Sequence, residues 1–253
     1  MSTATDLVLT EQREHVLLVT MNRPAQRNAF DNAMYRAMTA ALEEARADDS
    51  VRVVIVTGAG ETFCAGQDFA EMSAAAGTAH GFPAFLEALI DFDKPLLAAV
   101  NGAGVGLGLT MLLHTDIAYM ADRARLKAPF VTLGVVPEAA ASYLLPIVVG
   151  AQRAAELLYT ARWLPADECV SLGLAYAVVP HAELLTTTFA KAAEIAANPP
   201  AAIRHTKRLL RTWRRDQIFA ARAREDTAFT ERLGTPENLE AIQAFFERRA
   251  PRF

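Results

Sequence analysis

The sequence predicts an α/β protein that turns mainly helical in its second half, on three observations. Short β-branched runs alternate with helical patterns as far as Asp122. The most apolar of these runs end in loops of glycine and other small residues. Beyond Asp122 helical segments follow one another to the end of the chain.

The strand candidates are Leu7–Thr10, Val16–Met21, Val51–Thr57, Leu96–Val100 and Ile117–Met120. A helix is predicted from Asp31 to Ala47, because the Asp31 carboxylate can accept the amide hydrogens that a first turn leaves unsatisfied. A second is expected from Gly104 to about His114. Further helices are read at Glu138–Val149, Arg153–Thr160, Pro165–Ser171, Ala182–Ala197, Ala201–Trp213, Gln217–Leu233 and Asn238–Phe246. The strongest punctuation is Asn198-Pro199-Pro200, since a residue before proline is pushed out of helical geometry. It divides a core, residues 1–200, from a charged helical segment, residues 201–253. The apolar stripes of that segment (Leu209, Leu210, Phe245, Phe246) need a partner, which points to an oligomer.

With 253 residues, 52% of them hydrophobic and 21% charged, the chain can bury one sizeable core. A net charge of −4 argues against nucleic acid as a primary partner, since phosphate binding needs a basic face. Cys64 and Cys169 form neither a disulfide framework nor a metal-binding spacing, so no metal is expected. No apolar run reaches the ~18 residues of a membrane span. The stretch from Met1 to Glu14 is acidic and has little apolar character, and Pro251-Arg252-Phe253 is not a peroxisomal tripeptide. The expectation is a soluble, cytoplasmic protein.

Three loops are candidates for chemistry. Gly58-Ala-Gly-Glu-Thr-Phe-Cys-Ala-Gly-Gln-Asp68 follows a buried-looking strand, and Cys64, Ala65 and Gly66 would let a ligand approach the main chain. A strand-to-helix turn ending in Asp68 explains the same residues equally simply. Asn101-Gly-Ala-Gly-Val-Gly-Leu-Gly108 follows the next apolar strand. Its glycines alternate, so no three of them fit the dinucleotide spacing G-x-G-x-x-G. Two such loops can aim two backbone donors at one oxygen, an arrangement worth about 2.7–4 kcal/mol per donor in a transition state. The third loop, Pro129-Phe-Val-Thr-Leu-Gly-Val-Val-Pro-Glu138, ends in a Pro-Glu step that opens many helices for capping reasons alone.

Together these loops resemble the crotonase (enoyl-CoA hydratase/isomerase) superfamily. The similarity begins at Met21-Asn-Arg-Pro-Ala-Gln-Arg-Asn-Ala29 and runs through Phe63-Cys-Ala-Gly-Gln-Asp68 and Ala99-Val-Asn-Gly102 to Leu164-Pro-Ala-Asp-Glu-Cys-Val-Ser-Leu-Gly-Leu-Ala175. It implies stacked ββα units in a superhelix, with C-terminal helices that assemble a homotrimer or a hexamer. The substrate it implies is an acyl-CoA thioester, with coenzyme A part of the substrate and no separate cofactor. By the same resemblance the backbone amides of Ala65 and Leu107 form the oxyanion hole. Ala65, Gly66, Gln67, Asp68, Phe69, Arg27 and Phe130 fall on substrate-binding positions, and the Ala/Gly-rich loop Met72–Pro83 shapes the acyl pocket.

Crotonase-like hydratases use two glutamates, and the matching positions here hold Thr110 and Phe130, neither of which can ionise a water. The run Val136-Pro-Glu-Ala-Ala-Ala-Ser142 instead resembles the peroxisomal-type Δ3,Δ2-enoyl-CoA isomerases, which implies Glu138 as a single proton carrier. Another crotonase-type reaction, such as hydration, and a non-catalytic acyl-CoA binder are the alternatives. The basic run Arg204–Arg215 fits either coenzyme A phosphates or a solvated helix face.

Overall fold

The computed structural model describes residues 7–68 and 81–253; Phe69 and most of the Met72–Pro83 loop lie outside the described residues. The chain opens with β1 (Val8–Arg13) and β2 (Val16–Met21), an antiparallel pair, followed by α1 (Asn32–Ala47). Next come β3 (Val53–Gly58), β4 (Thr62–Cys64), α2 (Phe82–Ile90), β5 (Leu96–Val100), β6 (Ala103–Val105) and a short α3 (Leu107–Thr110). Then follow β7 (Ile117–Ala121), β8 (Arg125–Lys127), α4 (Ala141–Val149), α5 (Ala151–Thr160), β9 (Leu164–Pro165), α6 (Ala166–Ser171) and β10 (Ala177–Val179). Three helices close the chain: α7 (Leu184–Ala196), α8 (Pro200–Arg232) and α9 (Pro236–Glu247).

The strands form two sheets, of order β1-β2-β3-β5-β7-β10 and β4-β6-β8-β9. Successive strands β3/β4, β5/β6 and β7/β8 are shared out one to each sheet, so each turn of the chain adds a strand to both. The central strands β3 and β5 are buried at every residue, as expected of parallel strands covered on both faces. Helix α1 lays Met34, Tyr35, Met38 and Leu42 on the core, and Asp31 caps it by accepting the Met34 N–H at 2.7 Å. The rings of Phe30, Tyr35 and Phe85 cluster nearby, with centroids 5.0–5.7 Å apart.

Three expectations need correction. The stretch read as a helix from Gly104 begins as β6; the helix starts at Leu107 and tightens into a 3₁₀ turn over Met111–His114. Helix α4 begins at Ala141 rather than Glu138, because Ala139 and Ala140 both take positive φ. The two helices read at Ala201–Trp213 and Gln217–Leu233 are one, α8. No glycine or proline lies between Ala201 and Leu233, and the polar Arg214-Arg215-Asp216 only imitates a break. Nor is the basic run a free phosphate cradle. Arg204 pairs with Asp93, Lys207 and Arg211 with Asp116, and Arg215 with Asp91, so this side of α8 is bolted to the core.

Candidate active site

The second sheet brings the three loops together. Strands β4, β6 and β8 are parallel neighbours, with Thr62 opposite Ala103 and Ala103 opposite Arg125. The segments that leave their carboxyl ends, beginning at Ala65, Gly106 and Ala128, therefore emerge side by side. Sites in parallel sheets gather at such ends. Asparagines lock the loops. Asn28 accepts the Arg23 N–H and donates to Ala59 O and Thr62 O at 2.9 and 2.7 Å. Asn101 accepts from Gly58 N–H and donates to Gly60 O. The Asn-Arg-Pro motif is thus a latch between the start of α1 and the first loop. Glycine is required where the loops touch. A Cβ on Gly108 would lie 2.4 Å from Cys64 O, and one on Gly66, whose φ is +89°, would lie 2.9 Å from Val105 O.

A cavity of about 990 Å³ opens over these loops, a size suited to a large ligand. Arg27, Ala65, Gly66, Gln67, Leu107, Phe130 and Glu138 all line it. Asp68 does not; it pairs with Arg23 at 3.1 Å and serves the latch. Leu107 is the first residue of α3, so its N–H has no intrahelical acceptor. Ala65 is a correction: its N–H donates to Arg27 O at 3.0 Å and is spent within the loop. The loop lies against β6 one residue on, where a Cβ on Gly66 would stand 3.7 Å from Leu107 N. The parallel bridge from Phe30 to Gln67 runs through the N–H groups of Phe30 and Asp68.

Glu138 is half-buried, and the part left accessible opens into the cavity beside Phe130, Leu133 and Val135. Burial pushes its carboxyl up to about 7, and the negative charges of Glu225 and Asp226 push the same way. The helix-dipole effect expected from a Glu at a helix start is weakened, because α4 begins three residues later. Among the described residues the other carboxylate lining the cavity is Glu61, which is exposed and paired with Arg123 at 2.6 Å. Thr110 is fully buried and does not line the cavity, and Phe130 contributes only an apolar wall. The thiol of Cys64, buried next to this site, is pushed up to about 12 and stays neutral.

Several residues at the site escaped sequence reasoning. Glu225, from α8, accepts the N–H groups of Ala140 and Ser142 at 2.6 and 2.7 Å. His114 donates from Nε2 to Ala139 O at 2.8 Å, and burial holds its pKa down to about 4, so it is neutral. Asn238 of α9 donates to Leu133 O at 2.7 Å. Phe245 and Phe253 line the cavity from the C-terminal segment, and Arg125 stacks on Trp163 at 4.1 Å on its rim. None of Arg204–Arg215 lines it.

The profile of the Enoyl-CoA hydratase/isomerase family matches residues 11–253. The chain belongs to that family. It is 33% identical over 250 residues to rat (Rattus norvegicus) enoyl-CoA delta isomerase 2, a match that covers 96% of this chain and 64% of the rat protein. The chain therefore spans a little under two thirds of that relative. It is equally similar, at 33% identity, to 2,3-dehydroadipyl-CoA hydratase of Escherichia coli, covering 97% of this chain and 98% of the other. Its fold is the crotonase fold. The crystal structure of an enoyl-CoA hydratase/isomerase from Pseudoalteromonas atlantica superposes with a TM-score of 0.93 at 38% identity, over 98% of this chain and 99% of that one.

Proposed function

We propose that the chain is an enoyl-CoA isomerase that converts 3-enoyl-CoA to trans-2-enoyl-CoA, with Glu138 as the single proton carrier. The observation that carries this reading is that, of the two glutamates lining the cavity among the described residues, Glu138 is half-buried against an apolar wall while Glu61 is exposed and paired with Arg123. A carboxylate with a pKa near 7 is a competent base and a competent acid at neutral pH. It takes the proton from C2 of the 3-enoyl thioester, and the electron pair moves into a dienolate. The same group, now protonated, returns the proton at C4. Water is neither consumed nor released, so a second carboxylate has no task.

The thioester oxygen gains negative charge in this step, and Leu107 N–H is one donor placed to stabilise it. We assign the second to the Gly66-Gln67 step rather than to Ala65, because that step lines the cavity and approaches Leu107 N. Coenzyme A belongs to the substrate, and the reaction calls for no further cofactor. Arg27, Arg125 and Lys127 on the cavity wall suit its phosphates better than the basic run on α8. The segment 201–253 we propose to be an oligomerisation element as well as a wall of the site, assembling a homotrimer or a hexamer.

The E. coli hydratase is as similar as the rat isomerase, so the deciding assay offers 3-enoyl-CoA and 2-enoyl-CoA side by side. Double-bond migration without efficient hydration is the expected result; the reverse overturns the proposal. Glu138→Gln keeps the shape and removes the base. It should lower isomerase turnover by roughly 10²–10⁴-fold and leave acyl-CoA binding nearly intact.

A further inference from the structure

Glu225 is a buried carboxylate that the proton transfer does not use. It lies in α8, is 5% exposed, and spends both oxygens on the main chain at the start of α4. The residue before that helix, Ala140, offers no side-chain cap of its own, so Glu225 caps it from another element. The N–H groups it holds bracket a turn in which Ala139 and Ala140 have φ of 60° and 58°. Alanine seldom adopts that conformation, and two in succession persist only where neighbours enforce it. On the other side of the turn, His114 holds Ala139 O. Glu138 is the residue immediately before.

We propose that Glu225 is a positioning residue for Glu138: from α8 it fixes the Ala139-Ala140 turn that aims the carboxylate into the cavity. This rests on the reading of Glu138 as the base. The charged surroundings are consistent with it. Cys64 and His114 are both neutral, with Arg211 and Arg214 acting on His114 from α8. Asp226 faces Arg222 at 3.5 Å, and Arg222 also pairs with Glu87 at 3.1 Å. After burial itself, Glu225 is the larger of the two charges that raise Glu138. Burial also raises Glu225, but the two N–H bonds oppose that and favour its ionised form.

The test is the pH dependence of kcat on 3-enoyl-CoA for the full-length protein. Turnover should fall as the pH drops through about 7 and Glu138 takes up a proton. Glu225→Gln removes the charge and turns an amide donor toward one of the N–H groups. It should move the acid limb to lower pH and reduce plateau kcat on the order of 10²-fold with little change in KM. Glu225→Asp keeps the charge with a shorter reach, so kcat should fall while the acid limb stays. Adding Ala140→Gly to Glu225→Gln relaxes the turn; it should recover part of kcat and leave the limb shifted. A Glu225→Gln protein with wild-type kcat and limb overturns the inference. Should that variant fail to fold by circular dichroism, wild-type kcat in Glu225→Asp overturns it instead. Glu138→Gln separates the two levels. If it is inactive while Glu225→Gln is unshifted, only the role of Glu225 falls; if it is fully active, the base assignment falls.

Discussion

At the scale of single residues, the site is set by environment as much as by identity. Glu138 is chemically an ordinary glutamate, and its basicity comes from the apolar wall and the anions behind it. The same environment has a stability cost of known sign. Between pH 4.5 and about 7 the folded protein holds a proton on Glu138 that the unfolded chain has released. Wild-type stability therefore falls as pH rises through that window. Glu138→Gln carries no charge to bury, so it should be more stable than wild type above pH 7, by at most roughly 3 kcal/mol. The difference should vanish below about pH 4.5, which denaturant titrations at pH 4 and pH 8 would reveal. A gain at pH 4 that equals the gain at pH 8 would refute the cause. Glu138 and Phe130, which line the cavity, stood out in the sequence only through the family resemblance, because the Pro-Glu step by itself reads as the start of a helix. Ala65 was misplaced because motif spacing does not say which amide of a small-residue loop folds back on the chain. Glu225 gave no signal at all: it stands 85 residues from the N–H it caps, and such a bond is visible only once α8 is docked.

At the scale of elements, strands β2 and β5 and helix α1 had bounds close to those read from alternation and capping. Strands β4, β6 and β8 were not foreseen. At three residues each they are too short to show a period, and glycine and proline nearby read as turn. Yet these are the strands that deliver the loops lining the cavity. The docking of α8 was foreseen no better, since its basic run looks the same whether it meets solvent, phosphate or carboxylates. In the fold it meets Asp116, whose two oxygens take Lys207 Nζ at 2.7 Å and Arg211 at 2.8 Å and also accept Leu96 N–H. Lys207 is buried, and its pKa is pushed down to about 8 by desolvation. Asp116→Ala would leave that ammonium in the interior without its carboxylate. It should lower unfolding free energy by about 3–5 kcal/mol. Asp116→Ala combined with Lys207→Met should regain part of the loss, and a loss as large in the double variant would mean that the pair is not what matters.

At the scale of the whole molecule, the C-terminal helices have two faces with different tasks. One side of α8 buries Ile218 and Ala221 in the core and presents Glu225 to the site, while α9 lines the cavity with Ala241, Ala244 and Phe245. The other side of α8 leaves Leu209, Leu210 and Trp213 exposed at 78%, 66% and 64%. Three large apolar side chains within five consecutive residues are more than a monomer ordinarily leaves in water, and a symmetric assembly would cover them in every copy. Light scattering at micromolar concentration should therefore give three or six times the 27.4 kDa of one chain. Leu210→Glu with Trp213→Glu places charge on that stripe without touching the ion pairs of Arg204, Lys207, Arg211 and Arg215. It should shift the mass toward the monomer while far-UV circular dichroism stays helical. A wild-type protein that is monomeric at that concentration, or a double variant with unchanged mass, would remove this stripe as the interface.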